Sequence, residues 1–332
     1  MIISRTPFRI SFFGGGTDYP VWYKEHGGAV LATSINKYCY ITCRYLPPFF
    51  DYKYRIVYSK NEIAKDIFEI QHPSVRETLH FMNLDGGVEI HHDADLPART
   101  GLGSSSAFTV CLLNALYALK GKMVTKRQLA LDAIHIEQDR IKENVGSQDQ
   151  TITAFGGFNK IEFGGDQEIL IQPITLNSRK CLSLQDHLML FFTGFSRTAS
   201  EIAGEQIKKT RDKKNELNRM LEMVEEAINI LNGGDSDLTD FGRLLHESWM
   251  IKRSLTDRIS TPQIDEIYEV ALKAGALGGK LLGAGGGGFI LFFVEPEFQP
   301  KVKEVLKNLL HVPLKFENLG SQIIYYSPQN DF

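Results

Sequence analysis

Residues 95–116 read DLPARTGLGSSSAFTVCLLNAL, two glycines and three serines running directly into an apolar helix. A single Ser, Asn or Asp caps a helix well enough, so the glycine-rich approach needs a second reason. Glycines let backbone N–H groups come close to a ligand, and a helix N-terminus adds roughly half a positive charge. Gly101, Gly103, Ser104, Ser105 and Ser106 are thereby placed to hold phosphates, and a serine hydroxyl can ligate a magnesium ion bridging them. The alternative is a flexible loop ending in a serine cap. Two other phosphate motifs fail: no Gly-Lys-Ser or Gly-Lys-Thr exists for a Walker loop, and Ser106 stands where a dinucleotide fingerprint needs its third glycine or alanine. No H-R-D or D-F-G set of a protein-kinase fold is present either.

Outward from this stretch, the helix is expected over Ser105 to Lys120, stopped by Gly121. Thr125 then caps a second helix, with Gln128 completing a capping box, that runs to about Lys142. On it Leu129, Ala133, Glu137 and Ile141 form an i, i+4 row, which puts Glu137 on a face that should be buried. A buried carboxylate needs a cation, either a divalent metal at the phosphate loop or an Arg or Lys from elsewhere. Asp149, in GSQDQT, reads as a turn-forming loop residue. At the chain start, FRISFFGGGTDYP delivers Gly14 to Asp18 from a strand end, where Asp18 accepts from two sugar hydroxyls or closes a Gly-Asp turn. Eight of the 29 glycines fall between Gly275 and Gly288, more than a single turn requires beside the strand FILFFV.

A chain of 332 residues implies two domains. FRISFF, AVLATSI, YCYITCRY, YRIVYS and GVEIHH make a strand-rich opening; HLMLFFTGF, helical stretches over about 200–231, about 238–255 and IDEIYEVALKAG, then FILFFV and QIIYYS follow a boundary between 175 and 188. The mixture argues for α+β in both halves. With 37 Lys plus Arg against 40 Asp plus Glu, no overall basic field exists to collect nucleic acid. The basic run KKTRDKK at 208–214 lacks interleaved aromatics and reads as a solvated helix face. Cys39 and Cys43 on one strand lie roughly 13 Å apart, beyond disulfide reach, so reduced thiols are expected. No run approaches the ~18 apolar residues of a membrane span, and MIISRTPFRI lacks a signal-peptide apolar region; a cytoplasmic location without membrane contact is the expectation.

Taken in order, RTPFRISFFGGGTDYP, LPARTGLGSSSA and KLLGAGGGGFILFF resemble the three motifs of the GHMP kinases, across nearly the whole chain. Within that superfamily GGGTDYP, GLGSSSAFTV, VGSQDQTITAFGG and TGFSRTA are most similar to the heptose 7-phosphate kinase branch, with the fucose kinase branch nearby. The resemblance implies a two-domain α+β fold, residues 1–182 of ribosomal-protein-S5 type and 183–332 ferredoxin-like. It implies ATP and Mg2+ as cofactors and a phosphorylated sugar as substrate, with the γ-phosphate going to the anomeric 1-hydroxyl of a heptose 7-phosphate, toward nucleotide-activated heptose for surface polysaccharide. The oligomeric state stays open, a homodimer included. Pro97, Thr100, Gly101, Leu102, Gly103, Ser104, Ser105 and Ser106 match the ATP-binding motif; Ser105 and Glu137 match the metal ligands; Asp149 matches the catalytic aspartate and Arg9 the basic residue beside it. Gly16, Thr17 and Asp18 match the sugar-binding segment, Gly285 and Gly286 belong to the third motif, and Arg197 and Lys252 are candidates for the substrate's own phosphate. One departure is Arg99, which occupies the place of the second motif's first glycine. A catalytically silent sensor on the same fold is disfavoured by the joint presence of Ser105, Glu137 and Asp149, and a dinucleotide-dependent oxidoreductase by the failed fingerprint.

Overall fold

The computed structural model describes residues 1–84, 86–164, 169–194, 199–233 and 238–327. Two sheets organise them. The first strand, β1 (Ile2–Phe13), is buried along almost all its length and pairs antiparallel with β2 (Gly28–Tyr45), so AVLATSI and YCYITCRY form one long strand rather than two. The sheet is extended by β3 (Tyr54–Val57), β4 (Asn61–Ala64), β5 (Val88–Ala94), β6 (Phe158–Phe163) and β7 (Ile169–Pro173). Only β3 and β5 pair in parallel among the described strands. The Ser104–Leu119 helix packs its apolar surface on β1 and β2, which is why it carries almost no polar side.

The second sheet holds β8 (Leu188–Gly194), β9 (Ala276–Leu281), β10 (Gly288–Val294) and β11 (Leu310–Val312) in the antiparallel order β11-β8-β10-β9. Its first and last strands in sequence lie side by side, with the helices Thr239–Ser254 and Pro262–Lys273 between β8 and β9; this is the split β-α-β arrangement of a ferredoxin-like unit. Two closing strands, β12 (Phe316–Glu317) and β13 (Gln322–Tyr326), cross back to pair with β2 and β1. The expected division at 182/183 therefore meets a chain whose second sheet begins just after it, but whose residues 316–326 belong to the first sheet.

Local readings differ in four places. Thr125 accepts from Gln128 N at 3.1 Å, but the Gln128 side chain bonds Asp132, leaving half a capping box. The helix expected to about Lys142 is α-helical only over Lys126–Ile134 and then widens into a π-helical turn, His135–Arg140. The stretch expected from about 200 to 231 breaks at Thr210–Lys213, inside the basic run, into the helices Ala199–Lys209 and Lys214–Asn232. Asp149 is not in a loop: it lies in the first turn of the Gln148–Phe155 helix, where the N-terminal dipole favours a carboxylate.

Candidate active site

The loop that matches the ATP-binding motif, termed the phosphate loop for that match alone, is shaped by glycine. Gly101 has φ +85° and a Cβ there would lie 2.3 Å from the Leu282 carbonyl; Gly103, φ +74°, is the N-cap of the Ser104–Leu119 helix. Gly101 and Gly283 meet back to back with no room for a side chain between them, and Phe289 N donates to Thr100 O at 3.0 Å. The density of glycine near the chain's end thus lets the second sheet close on the phosphate loop. Arg99 stands at φ +62°, a left-handed conformation that a glycine would adopt without strain, and its side chain is exposed at the cleft rim.

A cleft of about 1160 Å³ opens over this loop, lined from both sheets. Its floor holds a charged cluster. Arg9, on β1, donates from Nε to Asp149 Oδ1 and from Nη2 to Asp149 Oδ2, both at 2.7 Å, and from Nη1 to the Gly101 carbonyl at 2.7 Å. The fork fixes Asp149 against the loop while leaving its side chain 25% exposed to the cleft. Asp18 is 2% exposed and accepts from Gly16 N at 2.9 Å; burial raises its pKa above the ordinary carboxylate value, with the Asp149 charge adding to the effect. Lys252 lines the same floor, its ammonium donating to Leu281 O and Gly283 O, and burial lowers its pKa to about 8. A second lysine, Lys280 on β9, donates to Phe12 O at 2.7 Å and is pushed well below the usual lysine range by burial and then by Lys252. The sequence reading missed Lys280; the available signal was one lysine in an otherwise apolar strand, ALGGKL.

Glu137 is fully buried beneath the loop, accepting from Ser106 Oγ at 2.8 Å and from the Gln150 side chain. Burial raises its pKa to about 7, against the lowering effect of the hydroxyls around it and of the Gln150 amide. Its Oε1 has no partner among the described residues. The hydroxyl that meets Glu137 is Ser106, whereas Ser105, matched to the metal, is one position earlier in the first helical turn and exposed in the cleft. Among the described residues no three His, Cys, Asp or Glu side chains converge as a metal cage. Mg2+ needs no such cage: it is usually held by one or two carboxylates with substrate phosphates and waters, so an unpartnered buried carboxylate oxygen beside serine hydroxyls fits it.

Several expected residues turn elsewhere. Thr17 is fully buried and its hydroxyl is bound to Gly14 O, Ala29 O and Ala29 N, so it staples the glycine turn to β2 rather than facing the cleft. Thr100 donates to Pro97 O and Leu102 is a core side chain, so neither presents its side chain to a ligand, while Pro97, Gly101, Gly103, Ser104, Ser105 and Ser106 line the cleft. Gly285 and Gly286 pack on Ile259, leaving Gly283 and Ala284 as the wall; Gly16 and Asp18 form the opposite side. Arg197 lies outside the described residues. Across the loop, His72 stacks on Phe108 at 4.7 Å between centroids and His92 meets the same ring edge-on at 5.0 Å, an aromatic wall assembled from three separate segments. A second cavity, about 780 Å³ and lined by residues including Phe155, Phe158, Cys181 and Phe316, has no such charged cluster.

Set against known proteins, residues 62–157 match the family model described as GHMP kinases N terminal domain, and residues 216–311 match GHMP kinases C terminal. The chain is 28% identical over 320 residues to a D-glycero-alpha-D-manno-heptose 7-phosphate kinase from Campylobacter jejuni, covering 89% of this chain and 90% of that protein. It is 25% identical to an L-fucokinase/L-fucose-1-P guanylyltransferase from Bacteroides fragilis, covering 92% of this chain but 36% of that protein. The crystal structure of a D-glycero-D-manno-heptose 1-phosphate kinase from Bacteroides thetaiotaomicron superposes with a TM-score of 0.72 at 25% identity, covering 98% of this chain and 99% of that one.

Proposed function

The chain belongs to the GHMP kinases, phosphotransferases of two-domain fold with ATP as donor and an alcohol group as acceptor, and from that premise we propose that it phosphorylates the anomeric 1-hydroxyl of D-glycero-D-manno-heptose 7-phosphate. The observation carrying this reading is the bidentate Arg9–Asp149 pair set between the glycine loop and Asp18. In the proposed mechanism the loop amides and the helix N-terminus hold the triphosphate, and the base lies against the His72–Phe108 wall. Asp18 fixes sugar hydroxyls. Asp149 orients the acceptor hydroxyl and takes its proton; Arg9 occupies one lone-pair direction on each of its oxygens and leaves others toward the cleft. Ser105 and Glu137, with Ser106 between Glu137 and the cleft, would hold Mg2+, which supplies charge neutralisation on the phosphates. We place the reaction in the cytoplasm, its product toward nucleotide-activated heptose.

The test is ATP consumption against heptose 7-phosphate, fucose, galactose and mevalonate. Heptose 7-phosphate should give the highest kcat/KM, by at least about tenfold, the scale of one charge-assisted hydrogen bond lost when the acceptor carries no phosphate. Faster turnover of fucose would overturn the heptose assignment in favour of a fucose-type 1-kinase, the activity named for the Bacteroides fragilis relative. The sugar-binding assignment has a separate check. A Cβ on Gly146 would lie 1.8 Å from Asp18 Oδ2. Gly146→Ala should therefore displace Asp18 and raise the acceptor KM about tenfold, the scale of one hydrogen bond to a charged group, while the Kd for ATP stays unchanged. An unchanged acceptor KM would remove Asp18 from the sugar site.

A further inference from the structure

Lys252 and Lys280 are 7% and 3% exposed, yet among the described residues neither makes an ion pair. Burying two ammonium groups is costly, and no described carboxylate lies within ion-pair distance of either. Both Asp149 oxygens are taken by Arg9, and Asp18 is engaged by the Gly16 amide. The lysines are held instead by backbone carbonyls: Lys280 by Phe12, Lys252 by Leu281 and Gly283. An ammonium has three donors, so one bond for Lys280 and two for Lys252 leave three N–H groups in the cleft that both side chains line. Over the cleft lining, five cationic side chains (Arg9, Lys60, Arg99, Lys252 and Lys280) face four carboxylates (Asp18, Asp93, Glu143 and Asp149), an imbalance that an anion completes.

The carbonyls also fix where along the cleft each lysine works. Gly283 abuts Gly101, so Lys252 is anchored at the phosphate loop. Phe12 precedes the turn that carries Gly16 and Asp18, so Lys280 is anchored at the opposite, acceptor end. The Arg9–Asp149 pair lines the same cleft and touches the loop through Arg9 Nη1 and the Gly101 carbonyl.

We propose that Lys252 and Lys280 form a two-ammonium clamp on the phosphoryl group in transit, rather than a site for the acceptor's own phosphate. The inference rests on the phosphoryl-transfer reading above. In the step it serves, the bond from the γ-phosphorus to the ADP oxygen breaks, the bond to the sugar oxygen forms, the hydroxyl proton goes to Asp149, and both lysines keep their protons. Their three free donors meet the non-bridging oxygens, where charge is greatest during transfer.

The test uses the full chain with Lys280→Met and Lys252→Met, near-isosteric changes that remove a buried charge, and Lys280→Arg, which keeps one. Each Met variant should lower kcat by roughly 10²-fold, the scale for losing one preorganised donor, with KM for ATP and sugar within about threefold. The loss should be the same for phosphorylated and unphosphorylated acceptors. ADP should bind as in the parent chain, while ADP with tetrafluoroaluminate binds at least tenfold more weakly, and Lys280→Arg should recover part of both. Turnover within threefold of the parent, or a loss confined to the KM of a phosphorylated acceptor, would overturn the clamp. If the parent chain phosphorylates none of the sugars, the substrate reading fails, but the fluoroaluminate comparison still decides the clamp. Should Lys280→Met not fold, Lys252→Met carries the same readouts.

Discussion

Asp149→Asn is expected to bind ATP with the parent affinity and to turn over at least about a hundredfold more slowly, the lower end of what removal of a general base costs. The geometry separates the two effects. ATP is proposed to contact the loop amides and helix N-terminus, none of which bonds the Asp149 side chain; the loop contact of Arg9, to the Gly101 carbonyl, is made by Nη1, which Asp149 does not hold. Asparagine keeps the shape of the side chain but offers Arg9 one acceptor in place of two, turns an NH2 group toward a donor, and cannot take a proton. The guanidinium, 4% exposed, then loses its only ion pair among the described residues, so the variant should also melt at a lower temperature. Single-turnover kinetics with a parallel calorimetric titration of ATP distinguish the outcomes. A near-parental rate would remove Asp149 from the chemistry, and an equal loss of ATP affinity would make its role structural.

How much of this was legible in the sequence depends on how far apart the interacting parts lie. The Ser104–Leu119 helix matches the reading to within a residue at each end, because an unbroken apolar run bounded by glycines is local information. The burial of Glu137 was legible for the same reason: Leu129 and Ala133 share its row and are buried with it. The π-helical turn that carries it was not, since nothing within six residues distinguishes it from α-helix. Thr17 illustrates a different limit. Its position in GGGTD suggests a ligand contact, but its hydroxyl is consumed by Ala29, twelve residues on, through a strand pairing that no local pattern specifies. The return of β13 to β1 joins the two ends of the chain, and Lys280 becomes part of the site only because β9 of the second sheet reaches Phe12 of the first. Glycine spacing announced two close approaches; that Gly101 and Gly283 approach each other could be seen only in three dimensions.

Glu137→Gln is expected to make the empty protein more stable at pH 8 and the enzyme more dependent on magnesium. Burial moves the Glu137 carboxyl from its ordinary 4.5 to about 7, so the folded state holds a proton that the unfolded chain has already released. The sign follows directly. Below pH 4.5 both states are protonated and the stabilising contribution is fully present; as pH rises from 4.5 through 7 it is lost, on the order of 3 kcal/mol in all. Glutamine stays neutral throughout and can still accept from Ser106 and Gln150. The Tm difference between variant and parent should therefore be near zero at pH 4.5 and grow to several degrees at pH 8. Saturating Mg2+ and ATP should shrink that difference, because a cation at the unpartnered Oε1 replaces the proton and stabilises the parent more than the variant. The variant should meanwhile need at least tenfold more Mg2+ for half-maximal turnover, the scale of one lost carboxylate contact to a bound cation. A Tm difference independent of pH would show that the carboxyl is not held out of water as the fold implies. An unchanged Mg2+ titration would leave Glu137 as a structural acid under the loop and return the metal to the cleft carboxylates, of which Glu143 faces the same cavity.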